Sequence, residues 1–130
     1  MITDDTDVWY IIKLALFNNL NYYNDIIIDG ISCRFTFEYN ERIGTRYLSI
    51  ITTSGTVLLS KTPLFKEHEI YLDTNADLIG IHQCMIKLVK LDNLIEDDLV
   101  NWQDNYIIYI KGIFDDEYED YLTLTKSLVV

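Results

Sequence analysis

The clearest alternation of apolar and polar positions runs through Ile31-Ser32-Cys33-Arg34-Phe35-Thr36-Phe37-Glu38-Tyr39, the pattern of a half-buried strand. Tyr22 to Ile28, just before it, is rich in β-branched and aromatic residues. Between them Asp29-Gly30 supplies the positive backbone dihedrals of a two-residue type I′ turn, so the two segments predict a hairpin. A polar turn over Asn40-Glu41-Arg42-Ile43-Gly44 leads into a strand from Arg46 to Thr52, and Ser54-Gly55 turns that into Thr56 to Leu59. The expected arrangement is a meander.

Pro63 cannot donate to a ladder, so it marks a break or a strand edge before the short run Glu69 to Leu72. Asp73 to Gly80 mixes turn formers with a terminating glycine and fits one short helical turn. Strand character resumes from Ile81 to Val89 and again from Tyr106 to Ile110, with a loop and a short helical turn expected between them, over 92–104. Val8 to Phe17 fits helix or strand by pattern, and its β-branched and aromatic load, stopped by Asn18-Asn19, favours strand. Seven or eight short strands joined by tight turns predict an all-β fold, a small antiparallel β-barrel or sandwich. One β domain is expected over 1–112, followed by an extended acidic arm over 113–130, whose alternating end would dock on a neighbour's sheet edge or, equally, be a frayed tail.

Composition adds bounds to this picture. With 130 residues, 49 % hydrophobic and a single proline, the chain has enough apolar material for one packed core. Ten basic against 21 acidic residues give a net charge of −11, which argues against binding nucleic acid or an anionic membrane surface. No segment approaches the run of about 18 apolar residues that a membrane helix needs, and the acidic start is unlike a signal peptide, so a cytosolic location is expected. Cys33 and Cys84 share no ligand or redox spacing and read as buried, reduced thiols. The charge is unevenly spread: residues 1–30 carry −4, 31–66 carry +3 and 67–130 carry −10. A basic middle and an acidic second half suit head-to-tail contact between identical subunits, and equally describe a solvated acidic surface.

No constellation for catalysis emerges. His68 and His82 have no nucleophile motif beside them, and His82-Gln83-Cys84 offers two ligand types where zinc takes three or four. The acidic runs Glu96-Asp97-Asp98 and Asp115 to Asp120 lack the spaced loop that wraps a calcium ion, and no phosphate-binding glycine motif is present. The chain therefore reads as a non-enzyme without metal or cofactor. Its ten tyrosines suit both a core and an interface, because each buries a large ring and keeps a polar tip. The residues expected at protein contacts are Arg42 and Arg46 in the basic third, Asp97 and Asp98 in the acidic half, and Tyr22, Tyr23, Tyr118 and Tyr121.

The ordered set Ile12-Lys13-Leu14, Asn18, Asp29-Gly30, Phe37-Glu38-Tyr39-Asn40, Arg46 to Ile50, Ser54-Gly55 and Asp97-Asp98-Leu99 resembles the small baseplate plug proteins of contractile-tailed bacteriophages, over roughly residues 11 to 110. Lys13 stands where that family has proline and Ser49 where it has aspartate, and nothing beyond Gly112 has a counterpart. The resemblance implies a tail-tube-like β fold and a structural virion component near the axis of the tail baseplate. It also implies contacts with hub, tube and spike proteins in a trimeric or hexameric ring, and a stay in the host cytoplasm before assembly. The competing reading is an acidic DNA mimic that occupies the basic groove of a host defence protein. Acids gathered in two loops and a tail, rather than in rows along strands, weigh against it. A metal-dependent hydrolase built on the acidic clusters ranks last.

Overall fold

A computed structural model describes residues 9–72, 81–92, 97–114, 121–123 and 126–128. The described residues form ten strands: β1 (Trp9–Leu14), β2 (Tyr22–Ile28), β3 (Ile31–Asn40), β4 (Thr45–Thr52), β5 (Val57–Pro63), β6 (Glu69–Tyr71), β7 (Ile81–Lys90), β8 (Tyr106–Phe114), β9 (Tyr121–Thr123) and β10 (Lys126–Leu128). They make two sheets, ordered β6-β7-β8-β1-β9 and β10-β2-β3-β4-β5. The expected all-β class holds. Of the two architectures left open by pattern, the structure is the sandwich, since neither sheet closes on itself. The pairing is antiparallel except for β9, which runs parallel to β1.

Alternation explains which face each strand buries. Cys33, Phe35 and Phe37 of β3 are fully enclosed while Arg34 between them is exposed. Tyr22, Ile26 and Ile28 of β2, Leu48 and Ile50 of β4, Ile12 and Leu14 of β1, Ile86 and Leu88 of β7, and Ile108 and Ile110 of β8 complete one core between the sheets. The hairpin predicted at Asp29-Gly30 is present: Ile28 faces Ile31, and the turn residues have φ of 53° and 80°, as a type I′ turn requires. Pro63 ends β5, an edge strand whose pairing with β4 is interrupted by register shifts. Proline and bulges both discourage addition of a further strand there.

Residues 97–105 form a loop with a single hydrogen-bonded turn, in which the amides of Asn105 and Tyr106 donate to Trp102 O at 3.1 and 2.9 Å. That turn is the only helix-like feature of the described part of 92–104; residues 93–96 lie outside the described residues. So do the turn expected over Asp73 to Gly80 and the acidic run Asp115 to Asp120. The chain's last strands lie on this chain's own sheets, Ile12 facing Tyr121 on β9 and Asp25 facing Lys126 on β10.

Candidate protein-interaction site

A cluster of hydrogen-bonded polar side chains lies at one end of the sandwich, where the β1–β2 and β7–β8 loops meet the start of β4. Arg46 is the organising group. It lies on the inward side of β4, in phase with Leu48 and Ile50, and is fully buried. Its Nε donates to Leu99 O, Nη1 to Asn19 O at 2.8 Å and Leu20 O at 3.4 Å, and Nη2 to Asn18 O at 3.3 Å and Val100 O at 3.1 Å. All five guanidinium N–H donors are thereby used, on carbonyls of two different loops. The guanidinium also lies over the Trp102 ring, 4.2 Å from its centroid. Burial lowers the Arg46 pKa, while the nearby Tyr22, Tyr39 and Asp98 act in the opposite direction.

Neighbouring contacts tighten the same joint. Trp102 Nε1 donates to Phe17 O at 2.6 Å, and the Gln103 amide donates to Asn18 Oδ1 at 2.9 Å. The Trp102 ring packs edge-on against Phe37, which stacks on Tyr22 with centroids 4.8 Å apart. Tyr22 is buried, its hydroxyl oxygen accepts the Phe17 amide at 3.1 Å, and burial pushes its pKa up to about 12. The two loops are therefore fixed to the body by side chains rather than by a ladder.

Asp98 closes the loop on itself. Its Oδ1 accepts the amides of Val100 and Asn101 at 3.0 and 3.2 Å, and its Oδ2 accepts Asn101 Nδ2 at 3.1 Å. These bonds, the Asn101 side chain first, hold its carboxyl below the usual carboxylate range. Asp97 next to it is exposed and binds the buried Lys90 and Tyr106 together with the exposed Lys66: Oδ1 accepts from Lys90 Nζ at 2.8 Å, Lys66 Nζ at 3.2 Å and Tyr106 OH at 3.2 Å. Lys90, then Lys66, pull its pKa down to about 2. Lys66, Asp97 and Tyr106 line a cleft of about 210 Å³ whose other walls are Leu64, Phe65 and Leu99. A larger polar cleft of about 440 Å³ opens beside the β3–β4 turn, between Asn21, Tyr39, Arg42, Tyr47 and Lys61.

The structure brings Tyr22, Arg46, Asp97, Asp98 and Arg42 to this end. Tyr22 and Arg46 are enclosed within the chain, Asp98 is half-buried and Asp97 is exposed. Arg42 is exposed in the β3–β4 turn, its amide donating to Asn40 Oδ1 at 3.0 Å. Tyr23 lies elsewhere, half-buried on β2 with the Arg34 guanidinium 3.9 Å over its ring. Tyr121 opens β9, and Tyr118 lies outside the described residues. Trp102 was missed as an anchor because it stands in a loop without periodicity. The enclosed position of Arg46 does have a sequence signal, its phase with Leu48 and Ile50.

A second surface was not anticipated at all. On the outer face of the β2–β5 sheet, Ile27 is 65 % exposed, Val57 49 % and Ile51 40 %. Ile51 faces both Arg34 and Val57 across the strands, and Arg34 forms a bidentate pair with Asp25 at 2.8 and 3.1 Å. Apolar side chains gathered around a bidentate Arg–Asp pair are what a contact surface offers a protein partner.

Residues 9–105 match the model of the family described as cyanophage baseplate Pam3 plug gp18. The chain belongs to this baseplate plug family. The match begins at β1 and ends at the residue before β8, so it takes in both loops that Arg46 fastens. No curated protein and no solved structure matches the chain.

Proposed function

We propose that this baseplate plug family member is a non-enzymatic structural subunit of a phage tail baseplate, placed near the tail axis and joining tube, hub and spike proteins. The observation that carries the reading is the family match across the sandwich and its clamped loops. The sandwich over 1–112 acts as the rigid body and residues 113–130 as the arm that assembly uses. Copies associate in a ring of three or six, in the virion after assembly and in the host cytoplasm before it. Contacts with other tail proteins run through the exposed Asp97 and Arg42 end and the outer face around Ile27, Arg34 and Ile51.

Charge plays a smaller part in this ordering than the basic middle third first implied. Arg34 pairs with Asp25, Arg46 is spent on buried carbonyls, Lys61 lies 3.9 Å from Glu38 and Lys66 binds Asp97. Exposed pairs of this kind contribute little to stability, yet they neutralise the field that would steer a neighbour. The net charge still repels DNA from any wall the protein forms around a passage. The test is co-expression with the tube, hub and spike proteins of the same phage, followed by native mass spectrometry. A defined complex containing at least one of them is expected; a protein that stays monomeric and binds none of them overturns the proposal.

A further inference from the structure

The polar cleft of about 440 Å³ beside the β3–β4 turn is built on a fixed frame. The Tyr39 amide donates to Asn21 Oδ1 at 3.3 Å, which ties the β1–β2 loop to β3. The Gly44 amide donates to Asn40 O at 2.8 Å and the Arg42 amide to Asn40 Oδ1 at 3.0 Å, so the turn is closed by its own bonds. On the strands, Lys61 Nζ lies 5.4 Å from the Tyr47 ring centroid and 3.9 Å from Glu38. A cleft held in this way loses little freedom when a ligand enters.

The same frame leaves hydrogen-bonding capacity in the cleft. Asn21 and Asn40 spend their side-chain carbonyls on the backbone, so each keeps its Nδ2 as a donor. Among the described residues, the Arg42 guanidinium and the Glu41 carboxylate, both in the exposed turn, form no hydrogen bond or ion pair. Donors, acceptors and two tyrosine rings thus share a space of the size that small-molecule clefts have, roughly 300–1,000 Å³.

Charge and lining narrow the ligand. Arg42 and Lys61 stand against Glu38 and Glu41, so an anion meets two carboxylates and a cation meets a guanidinium and an ammonium. Among the described residues no aliphatic side chain lines the cleft, which leaves no socket for the apolar anchors on which protein contacts depend. A neutral molecule rich in hydroxyls satisfies both constraints. Each hydroxyl donates to Glu41 or accepts from Arg42 and the asparagine amides, and the C–H faces of its rings lie on tyrosine. We propose that this cleft binds a neutral saccharide, taking a disaccharide unit. The proposal goes beyond the assembly reading and does not rest on it, because the ligand binds the isolated chain.

The test is a titration of the isotope-labelled full-length chain with maltose, lactose and N,N′-diacetylchitobiose, followed by amide chemical shifts. At least one disaccharide is expected to shift the Glu41, Arg42 and Gly44 amides saturably, with a Kd on the order of 1 mM. Arg42→Ala and Glu41→Ala are each expected to weaken that binding roughly tenfold, the effect of losing a hydrogen bond to a charged group. Tyr71→Ala, which removes an exposed ring on β6 in the other sheet, leaves it unchanged. No saturable shift with any of the three sugars up to roughly 20 mM overturns the proposal, as does binding that survives both turn variants. Inorganic phosphate shifting these amides where the disaccharides do not makes the cleft an anion site. A tail protein that binds the wild type but not Glu41→Ala, with the disaccharides inert, makes it a protein contact, and either result overturns saccharide binding.

Discussion

A guanidinium enclosed with no carboxylate hydrogen-bonded to it among the described residues is the unusual feature at the residue scale. Arg46 compensates its desolvation through five backbone carbonyls and the Trp102 ring, so its charge is spread over dipoles of two loops. Lysine has three donors on a flexible stem and cannot lie flat on the indole, so Arg46→Lys is not conservative here. It is expected to cost about 2–4 kcal/mol in urea unfolding, through carbonyls left without donors. Hydrogen exchange at the Gln103 amide, which donates to Asn18, should quicken in the same variant. Asn24 is the opposite case. It is buried on the inner face of β2 between Tyr22 and Ile26, and neither its Nδ2 nor its Oδ1 has a hydrogen-bond partner among the described residues. An apolar side chain of similar volume removes that desolvation cost, so Asn24→Leu should stabilise the fold by about 1 kcal/mol. A lower urea midpoint for this variant would show that the amide is satisfied in solution.

Among the described elements, the loop from Asp97 to Asn105 is the one whose ties include a carboxylate held well below its ordinary pKa. The carboxylate of Asp97 ties it to Lys90 at the end of β7 and to Lys66 on the crossing between the sheets. Its folded pKa, about 2, lies below the ordinary value of 3.8, so the tie is complete above pH about 4 and is lost as pH falls toward 2. Unfolding midpoints followed across that window should fall for the wild type. Asp97→Asn should flatten this part of the profile and leave the slope near neutral pH unchanged. The strands themselves were legible: the β2–β3 hairpin followed from alternation and from Asp29-Gly30, whose residue types fit a turn of that hand. The site was less so. Tyr22 and Arg46 looked like surface contacts because side chains of mixed character serve either role, and only the phase of their strands decides. The loop geometry depends on which carbonyls converge in space, for which a linear pattern has no signature.

For the whole molecule, the balance between internal and external contacts favours apolar patches over charge as the means of joining neighbours. Four of the five basic residues of the middle third are engaged within the chain, whereas Ile27, Ile51 and Val57 stay uncovered around a paired arginine. Exposed isoleucines on an outer sheet face add little to folding, since water reaches them in both states, but they gain if a partner removes that water. Replacing both by threonine keeps the β-branching that the strands prefer while removing apolar surface, so Ile27→Thr with Ile51→Thr should leave the unfolding free energy within about 0.5 kcal/mol. Association through this face should weaken roughly tenfold or more, because losing apolar contact of this size costs over 1.4 kcal/mol. The measurement is a titration of oligomer and of partner-bound complex against protein concentration, with Arg42→Ala as the comparison variant for the loop end. A double threonine variant that assembles as well as the wild type, while Arg42→Ala does not, would move the interface from the sheet face to the loops that Arg46 holds.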